Sequence, residues 1–419
     1  MQAPIQTTIA PLNYLQGLML WIVISSLYAC GGSGSSSSDS QRQPIAGLET
    51  KALLGERLFS EMDLSLNRTQ SCATCHNPSH AFVDNRLNTE GLIPAVSVGD
   101  DSVSIGDRNS PTITYAQFIP EFRFGSRSRF NSQQSDYLGF IGGQFHDGRA
   151  ANLQVQAEAP PINPIEMALP DRASVVDRLL ENPEYEQSFQ ALFGADVFTS
   201  VDGAYSALSE SIAAFEQTHP LATFDSKYDR SLKGELFLTL KEALGRALFF
   251  SQTDTNCATC HQLRINSSQT ETFTSFEYHN IGVPVNQSVR NQNAALLDDG
   301  LLLNPAVDDF NQRGKFKVPT LRNAAVTEPY MHNGVFRDLT TVIKFYDHFH
   351  SFSQFLVNPE TGELWREPEI PDTVSLLELN DGDSLNQQEV EAIVCFIRTL
   401  TDARYEHLIQ GKGIVCEDS

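Results

Sequence analysis

Two short strings in the sequence each carry two thiols and one imidazole. They are SCATCH at 71–76 and NCATCH at 256–261, in a chain with seven cysteines. Outside the cytoplasm, Cys-x-x-Cys-His is the attachment string for c-type haem: the thiols add across the vinyl groups and the imidazole ligates the iron. A zinc site would need a second Cys/His pair at matching spacing, and a redox dithiol needs no histidine. We therefore predict two covalently bound haems c, held by Cys72, Cys75 and His76, and by Cys257, Cys260 and His261.

The sequence around these strings repeats itself. Four landmarks occur twice in the same order: KALLGERLFS (51–60) and KEALGRALFF (241–250), the two CATCH strings, SPT (110–112) and VPT (318–320), and QFHDGRAANL (144–153) and YMHNGVFRDL (330–339). Such order makes chance similarity improbable and indicates repeated structural units. It predicts two related lobes that meet near residue 235.

Apolar residues recur every three to four positions in several segments, the spacing typical of amphipathic helices. The clearest are 172–194, 204–218 and 386–402, with Asp171 and Ser384 as the expected N-caps. Alternating patterns typical of strands are scarce. The predicted fold class is mainly α: two cytochrome c-like helical lobes from an internal duplication, each with one covalent haem c, joined and covered by long loops.

The N-terminus has the pattern of an export signal. Residues 1–29 contain no charged residue, and their apolar stretch is too short for a comfortable membrane span but suits a signal-peptide core. LYAC at 27–30 is similar to a bacterial lipobox, which predicts lipidation of Cys30; an ordinary secretory signal or an uncleaved anchor is the alternative. Because Gly31 follows, we expect a periplasmic lipoprotein of the outer membrane.

The predicted organisation has four parts. They are a signal peptide of the lipoprotein type at 1–29, a flexible Ser/Gly tether at 30–46, an N-terminal haem lobe at 47–235 and a C-terminal haem lobe at 236–419. The 419 residues carry a net charge of −23. Nucleic-acid binding needs a basic face, so that class of partner is excluded, and the only expected membrane contact is the lipid anchor.

The order of motifs resembles that of the bacterial di-haem cytochrome c peroxidase and MauG superfamily. The resemblance covers roughly residues 46–402 through CxxCH, RNSPT, FHDGRA, NPIEM, CxxCH, FKVPTLRN and PYMHNG. It implies two haem c lobes with a calcium ion between them. In such proteins one haem, here that of the N-terminal lobe, reacts with hydrogen peroxide, while the other stores or relays electrons.

The resemblance also implies the catalytic residues. Family members carry Gln and Glu on the open side of the first haem, and their offsets from His146 lead to Gln156 and Glu166. Glu166 is the expected proton carrier between the peroxide oxygens, and Gln156 the hydrogen-bonding residue that orients the substrate. Without the haems, Glu166 would read as a common helix-start carboxylate after Pro164.

The ligands of the two irons are expected to differ. Typical peroxidases of the family block the first iron with a His, whereas segment 77–100 offers only His80, which is too close to His76 to cross the haem. The first iron should therefore be open. On the second haem the family offset leads to Tyr346, a ligand that favours higher oxidation states. A Tyr packing against haem, or ligation by His348 or His350, is the alternative.

Between the haems the sequence departs from the usual family pattern. Many members have Trp where this chain has His146, and Trp365 is the only tryptophan beyond the signal region. Because imidazole is harder to oxidise than indole, rapid hole sharing between the haems is not expected. The repeat pairs His146 with His332, and both are expected at haem propionates. The calcium ligands carried over are Asn109, Thr327 and the carbonyl of Pro329, which are oxygen donors suited to a hard cation.

Apart from Cys30, two cysteines remain outside the haem strings. Cys395 and Cys416 either pair in an oxidising compartment or leave Cys395 as a buried thiol on a helix. 

Three functions are compatible with the whole pattern. The first is an extracytoplasmic di-haem peroxidase that reduces hydrogen peroxide with electrons from a small cytochrome c or copper protein. The second is a MauG-like oxidase that modifies side chains of a partner protein. The third is a non-catalytic electron carrier, against which Gln156 and Glu166 argue, because relaying electrons needs neither residue.

Overall fold

Helices dominate the fold, and the few strands are short. The computed structural model describes residues 43, 45–265, 267–291, 297–409 and 413–417. The predicted signal peptide, Cys30 and nearly all of the predicted tether lie outside these ranges. In the described part, no helix has the length and apolar character needed to cross a membrane.

The described α-helices and strands are numbered in chain order. The helices are α1 Lys51–Phe59, α2 Cys72–Cys75, α3 Leu153–Ala157, α4 Arg172–Leu180, α5 Pro183–Phe193, α6 Val201–Glu216, α7 Lys227–Leu232, α8 Leu240–Phe249, α9 Ala258–His261, α10 Gln287–Arg290, α11 Leu339–Asp347, α12 Leu376–Leu379 and α13 Gln387–Arg398. Strands β1 Arg123–Arg127 and β2 Tyr137–Ile141 form one antiparallel pair, and β3 Tyr278–His279 and β4 Phe316–Lys317 form another. The mainly helical fold class is confirmed.

Short 3-10 helices connect these elements. Their bounds are Met62–Leu64, Ala116–Phe118, Pro160–Ile162, Val197–Thr199, His219–Leu221, Leu301–Leu303, Phe310–Gln312, Ala324–Val326 and Ala403–Ile409.

Two helix boundaries differ from the sequence-based expectation. The segment 172–194 is two helices, because Pro183 lacks the N–H that a continuous helix needs and starts α5 instead. The N-cap of α13 is Asn386 rather than Ser384: the Asn386 side chain accepts from the backbone of Gln388 and Glu389, and Glu389 closes the capping box. The expected cap Asp171 is confirmed, because its side chain accepts from the backbone N–H of Ser174.

Two helix pairs are built around equivalent glycines. In the pair α1–α6, a β-carbon on Gly55 would lie 1.8 Å from the backbone oxygen of Ser211. In the pair α8–α13, a β-carbon on Gly245 would lie 1.8 Å from the backbone oxygen of Ala392. Only glycine permits either approach, since real side chains do not come so close. The KALLGERLFS and KEALGRALFF repeat thus places the same backbone contact in both halves of the chain.

The motifs QFHDGRA and YMHNGVF also share a turn. An isolated bridge joins Gln144 to Ala150 in the first and Tyr330 to Phe336 in the second. In each turn the residue before the histidine and the glycine two positions after it have positive φ. The sequence repeat is therefore accompanied by repeated local geometry, and its origin by duplication stays a prediction.

Each half has its own large buried cluster. In the first half, α1 contributes Leu54, Leu58 and Phe59, which lie in one cluster with residues of α6. In the second half, Leu248 of α8 lies in one cluster with Ile393 and other residues of α13. Fully burying each such side chain contributes about 1.5–3 kcal/mol to folding. The described residues nevertheless belong to one compact unit.

The C-terminal cysteines are paired. Cys395 of α13 forms a disulfide with Cys416, 21 residues further along the chain. This decides between the two alternatives for these residues and fixes the C-terminal segment to the second helix pair.

Candidate functional site

An internal cavity of about 910 Å³ is lined by both Cys-x-x-Cys-His strings. The helix pairs border it through Phe59 and Ile212 in the first half and Phe249 and Ile393 in the second. Among the predicted site residues, the following line this cavity: Cys72, Cys75, His76, Asn109, His146, Gln156, Glu166, Cys257, Cys260, His261, Thr327, Pro329, His332 and Tyr346. The fold therefore brings the predicted residues of both halves to the wall of one cavity.

The two histidines of the strings are held alike. The Nδ1 atoms of His76 and His261 each lie 3.2 Å from a backbone carbonyl oxygen, that of Phe82 and that of Phe273. A protonated Nδ1 donates to such a carbonyl and leaves Nε2 with its lone pair. Burial lowers the pKa of both imidazoles, that of His261 to about 4. Both rings are thus neutral near pH 7, the form that ligates a metal.

The four cysteines of the strings form no disulfide, unlike Cys395 and Cys416. Burial raises the pKa of Cys72 to about 12 and that of Cys75 to about 11. Two thiols and a neutral imidazole on one short helical turn, facing a large and mostly apolar cavity, are the donor set that a covalently attached haem requires. The residues present fit this group in both halves.

We call the part of the cavity wall that comes from residues before 235 its first half, and the rest its second half. Glu166 and Gln156 lie on the first half. Gln156 belongs to α3, and Glu166 lies in a turn after the 3-10 helix Pro160–Ile162, not at a helix start. The side-chain amide of Asn163 donates to Oε1 of Glu166 at 2.8 Å. Burial raises the pKa of Glu166, although Asn163 and Arg149 oppose the shift. The result is an oriented carboxyl group with increased basicity.

His80 does not approach the cavity. It lies in the turn between Asn77 and Val83, whose backbones form an isolated bridge, and it is absent from the described residues that line the cavity. The geometry agrees with the expectation that His80 does not block the first iron.

Tyr346 of α11 lines the second half of the cavity. Burial raises the pKa of its phenol, and the neighbouring Cys260 and Cys257 add to the shift. The nearby His348 is directed elsewhere: its Nδ1 contacts the carbonyl of Phe345, and its ring packs against Trp365. His350 does line the cavity and remains the competing ligand.

His146 and His332 both line the cavity. Nε2 of His146 is 2.9 Å from the carbonyl oxygen of Asn109, and burial with nearby Arg108 lowers its pKa to about 3. The ring of His332 stacks on Phe316 with centroids 3.6 Å apart. Both are close to cationic groups, which suits the predicted neighbourhood of haem propionates.

Sequence reasoning missed two of these cations. Arg108 pairs with Asp147 and Asp298 at 2.7 Å each, linking the two halves of the chain. Lys317 is half-buried, and its ammonium donates to the carbonyls of Gly143 and Phe145. Burial lowers the pKa of Lys317 to about 7. Arg108 and Lys317 lie just before the SPT and VPT strings, and this position in the repeat could have identified them in the sequence.

The predicted calcium ligands Asn109, Thr327 and Pro329 also reach the cavity wall. The backbone N–H of Asn109 donates to the carbonyl of His332 at 2.7 Å, which joins the segment just before SPT to the YMHNGVF motif. Their oxygen atoms are of the type that calcium prefers.

A further carboxyl group on the wall was not anticipated from the sequence. Glu216 ends α6, is 3% exposed and lines the cavity. A helical amphipathic pattern gives no signal for it, since a single Glu at a helix end usually faces water.

Another compact group, Cys260, Glu277 and His279, has ligand-type atoms within 4.8 Å of one another. It includes a haem-string cysteine and so belongs to the surroundings of the second string.

Comparisons with known proteins agree with this geometry. The sequence profile of the di-haem cytochrome c peroxidase family matches residues 49–236. The methylamine utilization protein MauG of Paracoccus denitrificans is 48% identical over 88% of this chain and 92% of its own length. The chain belongs to the di-haem cytochrome c peroxidase and MauG family. The prediction of the family is therefore confirmed, and with it that of an oxidoreductase enzyme with two haems.

More distant relatives carry both kinds of name. Cytochrome c peroxidase Ccp of Escherichia coli is 29% identical over 86% of this chain and 60% of its own length. Among solved structures, the diheme peroxidase BthA of Burkholderia thailandensis superposes with a TM-score of 0.74 at 28% identity, covering 90% of this chain and 92% of that one. The family thus includes peroxidases and MauG proteins.

Proposed function

We propose that this protein is an extracytoplasmic di-haem c-type peroxidase that reduces hydrogen peroxide to water. Its electrons would come from a small redox protein such as a cytochrome c or a copper protein. The observation that carries the proposal is the placement of Glu166 and Gln156 on the wall of the cavity that also contains Cys72, Cys75 and His76. A plain electron carrier needs no acid–base pair beside its haem.

The two haems are assigned to the two strings. Cys72 and Cys75 would hold the first haem with His76 on its iron, and Cys257 and Cys260 the second with His261 on its iron. Haem supplies the iron and the electrons for cleaving the O–O bond. Lobes 47–235 and 236–419 would each carry one haem, which the two separate buried clusters support.

The protein's own contribution is the movement of a proton. Glu166, ionised and oriented by Asn163, takes the proton from the inner oxygen of hydrogen peroxide and returns it to the outer oxygen, which leaves as water. Gln156 donates a hydrogen bond that keeps the peroxide in line. Two electrons and two further protons complete the reduction to two water molecules. The raised pKa of Glu166 makes the carboxylate a better base for the first transfer.

A MauG-like oxidation of partner side chains is the second candidate. It is favoured by Tyr346, which reaches the second half of the cavity, and by the 48% identity to a MauG protein. Tyr346, if it helped His261 to hold the second haem, would as a phenolate favour higher oxidation states and so store oxidising equivalents. His146 in place of Trp counts against rapid sharing of them.

Stopped-flow spectroscopy of the resting protein with peroxide tests the proposal. Direct reaction without prior reduction is expected, because His80 is not among the described residues that line the cavity and would leave the first iron open. Multiple turnovers of reduced cytochrome c or of a small copper protein would support the peroxidase. A long-lived oxidised protein that spares both donors would favour the MauG-like function, and no reaction with peroxide would exclude both.

Three further assignments form part of the proposal. Asn109, Thr327 and Pro329 would bind calcium between the lobes, and chelation should weaken peroxide turnover. His146 and His332 would contact the propionates. The mature protein would start at a lipidated Cys30 and reside in the periplasm on the outer membrane. Detergent partitioning and N-terminal mass analysis test this, and an aqueous product with another start would contradict it.

A further inference from the structure

Glu216 is a buried carboxyl group for which the peroxide mechanism has no use. It ends α6 on the wall of the first half of the cavity and is 3% exposed. Its Oε2 atom has no hydrogen-bond partner among the described residues. An unpartnered buried carboxyl is costly to the fold, and such groups concentrate at functional sites.

The cations on the elements that pack against α6 have partners other than Glu216. On α1, Lys51 pairs with Glu210, and the guanidinium of Arg57 interacts with Tyr185. Arg172 of α4 pairs with Glu158 and Asp202. The titratable groups of the haem string are Cys72, whose thiol pKa Glu216 helps to raise, Cys75 and His76. Burial alone raises the pKa of Glu216 to about 8.

The second half of the chain supplies an internal comparison. Because the two glycine contacts are equivalent, Ser211 of α6 and Ala392 of α13 are equivalent positions of the repeat. One position further along stand Ile212 and Ile393, and five further along stand Glu216 and Ile397; these four residues all line the cavity. The helix pair therefore packs well with an aliphatic side chain at this position. Glu216 is not required by the architecture, and it distinguishes the first site from the second.

We propose that Glu216 is the proton-exchanging group coupled to the redox state of the first haem site. When one electron leaves that site, the O–H bond of the carboxylic acid breaks and one proton leaves to solvent; when an electron enters, the proton returns. The charge of the site is thereby kept constant. The electron acceptor is peroxide during turnover. This inference rests on the proposed attachment of a haem at Cys72 and Cys75.

The expected signature is a potential that depends on pH. As pH rises, Glu216 ionises, and its negative charge stabilises the oxidised site. The potential of the first haem should then fall by up to about 59 mV per pH unit, the value for one proton per electron. The fall should centre near pH 8, where burial places the pKa of the carboxyl. The second haem, with Ile397 at the equivalent position, should show no such fall.

Spectroelectrochemical titration of the haem-loaded protein at several pH values tests this. Glu216→Gln should abolish the dependence. Glu210→Gln, on the exposed side of the same helix, should retain it. An unchanged dependence in Glu216→Gln, or none in the wild type, would overturn the proposal.

Infrared difference spectroscopy of the wild type gives a second readout that needs no variant. Oxidation of the first haem should remove a protonated-carboxyl C=O band that shifts in D₂O, and absence of this band would overturn the proposal. A pyridine haemochrome assay distinguishes a failure of the proposed haem attachment from a failure of the role proposed for Glu216. A protein with one covalent haem refutes the attachment as well, whereas two haems without the pH signature refute only the role of Glu216.

Discussion

Replacing Glu166 by Gln isolates the proton transfer from the rest of the site. Gln has nearly the size of Glu, and its side-chain oxygen can still accept from Asn163, which lies 2.8 Å from Oε1 in the wild type. Haem attachment should be unaffected, because the change lies outside both Cys-x-x-Cys-His strings. What disappears is the basic oxygen that accepts the peroxide proton.

The expected loss of rate follows from the contribution that one positioned acid–base group makes to catalysis. Such a group contributes about 10²- to 10⁴-fold to the rate. This corresponds to about 2.7–5.4 kcal/mol of activation free energy at 1.36 kcal/mol per tenfold change. The place of Glu166 in the cavity wall and the hydrogen bond from Asn163 argue for a value inside this range rather than below it, since both hold the carboxyl in position.

The pH dependence of the peroxide reaction has a definite expected direction. Burial raises the pKa of Glu166 above its ordinary value, and the carboxylate is the active form. The rate constant for peroxide should therefore increase as pH rises through that raised pKa and then level off. In Glu166→Gln this rise should be absent.

Stopped-flow mixing with peroxide over a pH series measures both quantities. Glu158→Gln is the matched control: its carboxylate lies eight residues earlier, pairs with Arg172 and is not among the described residues that line the cavity. It should react like the wild type. Kinetics in Glu166→Gln equal to those of the control, with both haems present, would remove Glu166 from the mechanism.

Three other changes probe the second haem and the fold. Tyr346→Phe should alter only the low-spin ferric signal in low-temperature electron paramagnetic resonance, because it removes the proposed sixth ligand of the second iron; two low-spin haems in the wild type would contradict the ligand assignment. Gly245→Ala should destabilise the protein by about 3 kcal/mol in thermal unfolding, since its β-carbon would lie 1.8 Å from a backbone oxygen of α13. Gly203→Ala, whose β-carbon would meet nothing closer than 3.6 Å, is the control and should not destabilise. Replacing Cys395 and Cys416 by Ser should cost about 3 kcal/mol, from the closure entropy of a loop spanning 21 residues, and equal urea midpoints would refute this.

The sequence alone determined the chemistry of the two haem strings. Cys72, Cys75 and His76 are close in the chain, so one turn of helix is enough to bring their side chains together, and the same holds for the second string. Local chemistry also determined the cap at Asp171 and, in retrospect, the break between α4 and α5 at Pro183. The family resemblance added Glu166 and Tyr346 through their offsets, and both reach the cavity.

Tertiary structure decided which residues share an environment. Cys395 and Cys416 pair because the chain returns to α13, which no local pattern specifies. Glu216 and Ile397 occupy equivalent positions, yet only packing against α1 and the haem string makes the first a buried acid. The physical reason is that covalent spacing and capping act within one turn, whereas burial and the pKa shifts it causes depend on which distant segments exclude water from a side chain.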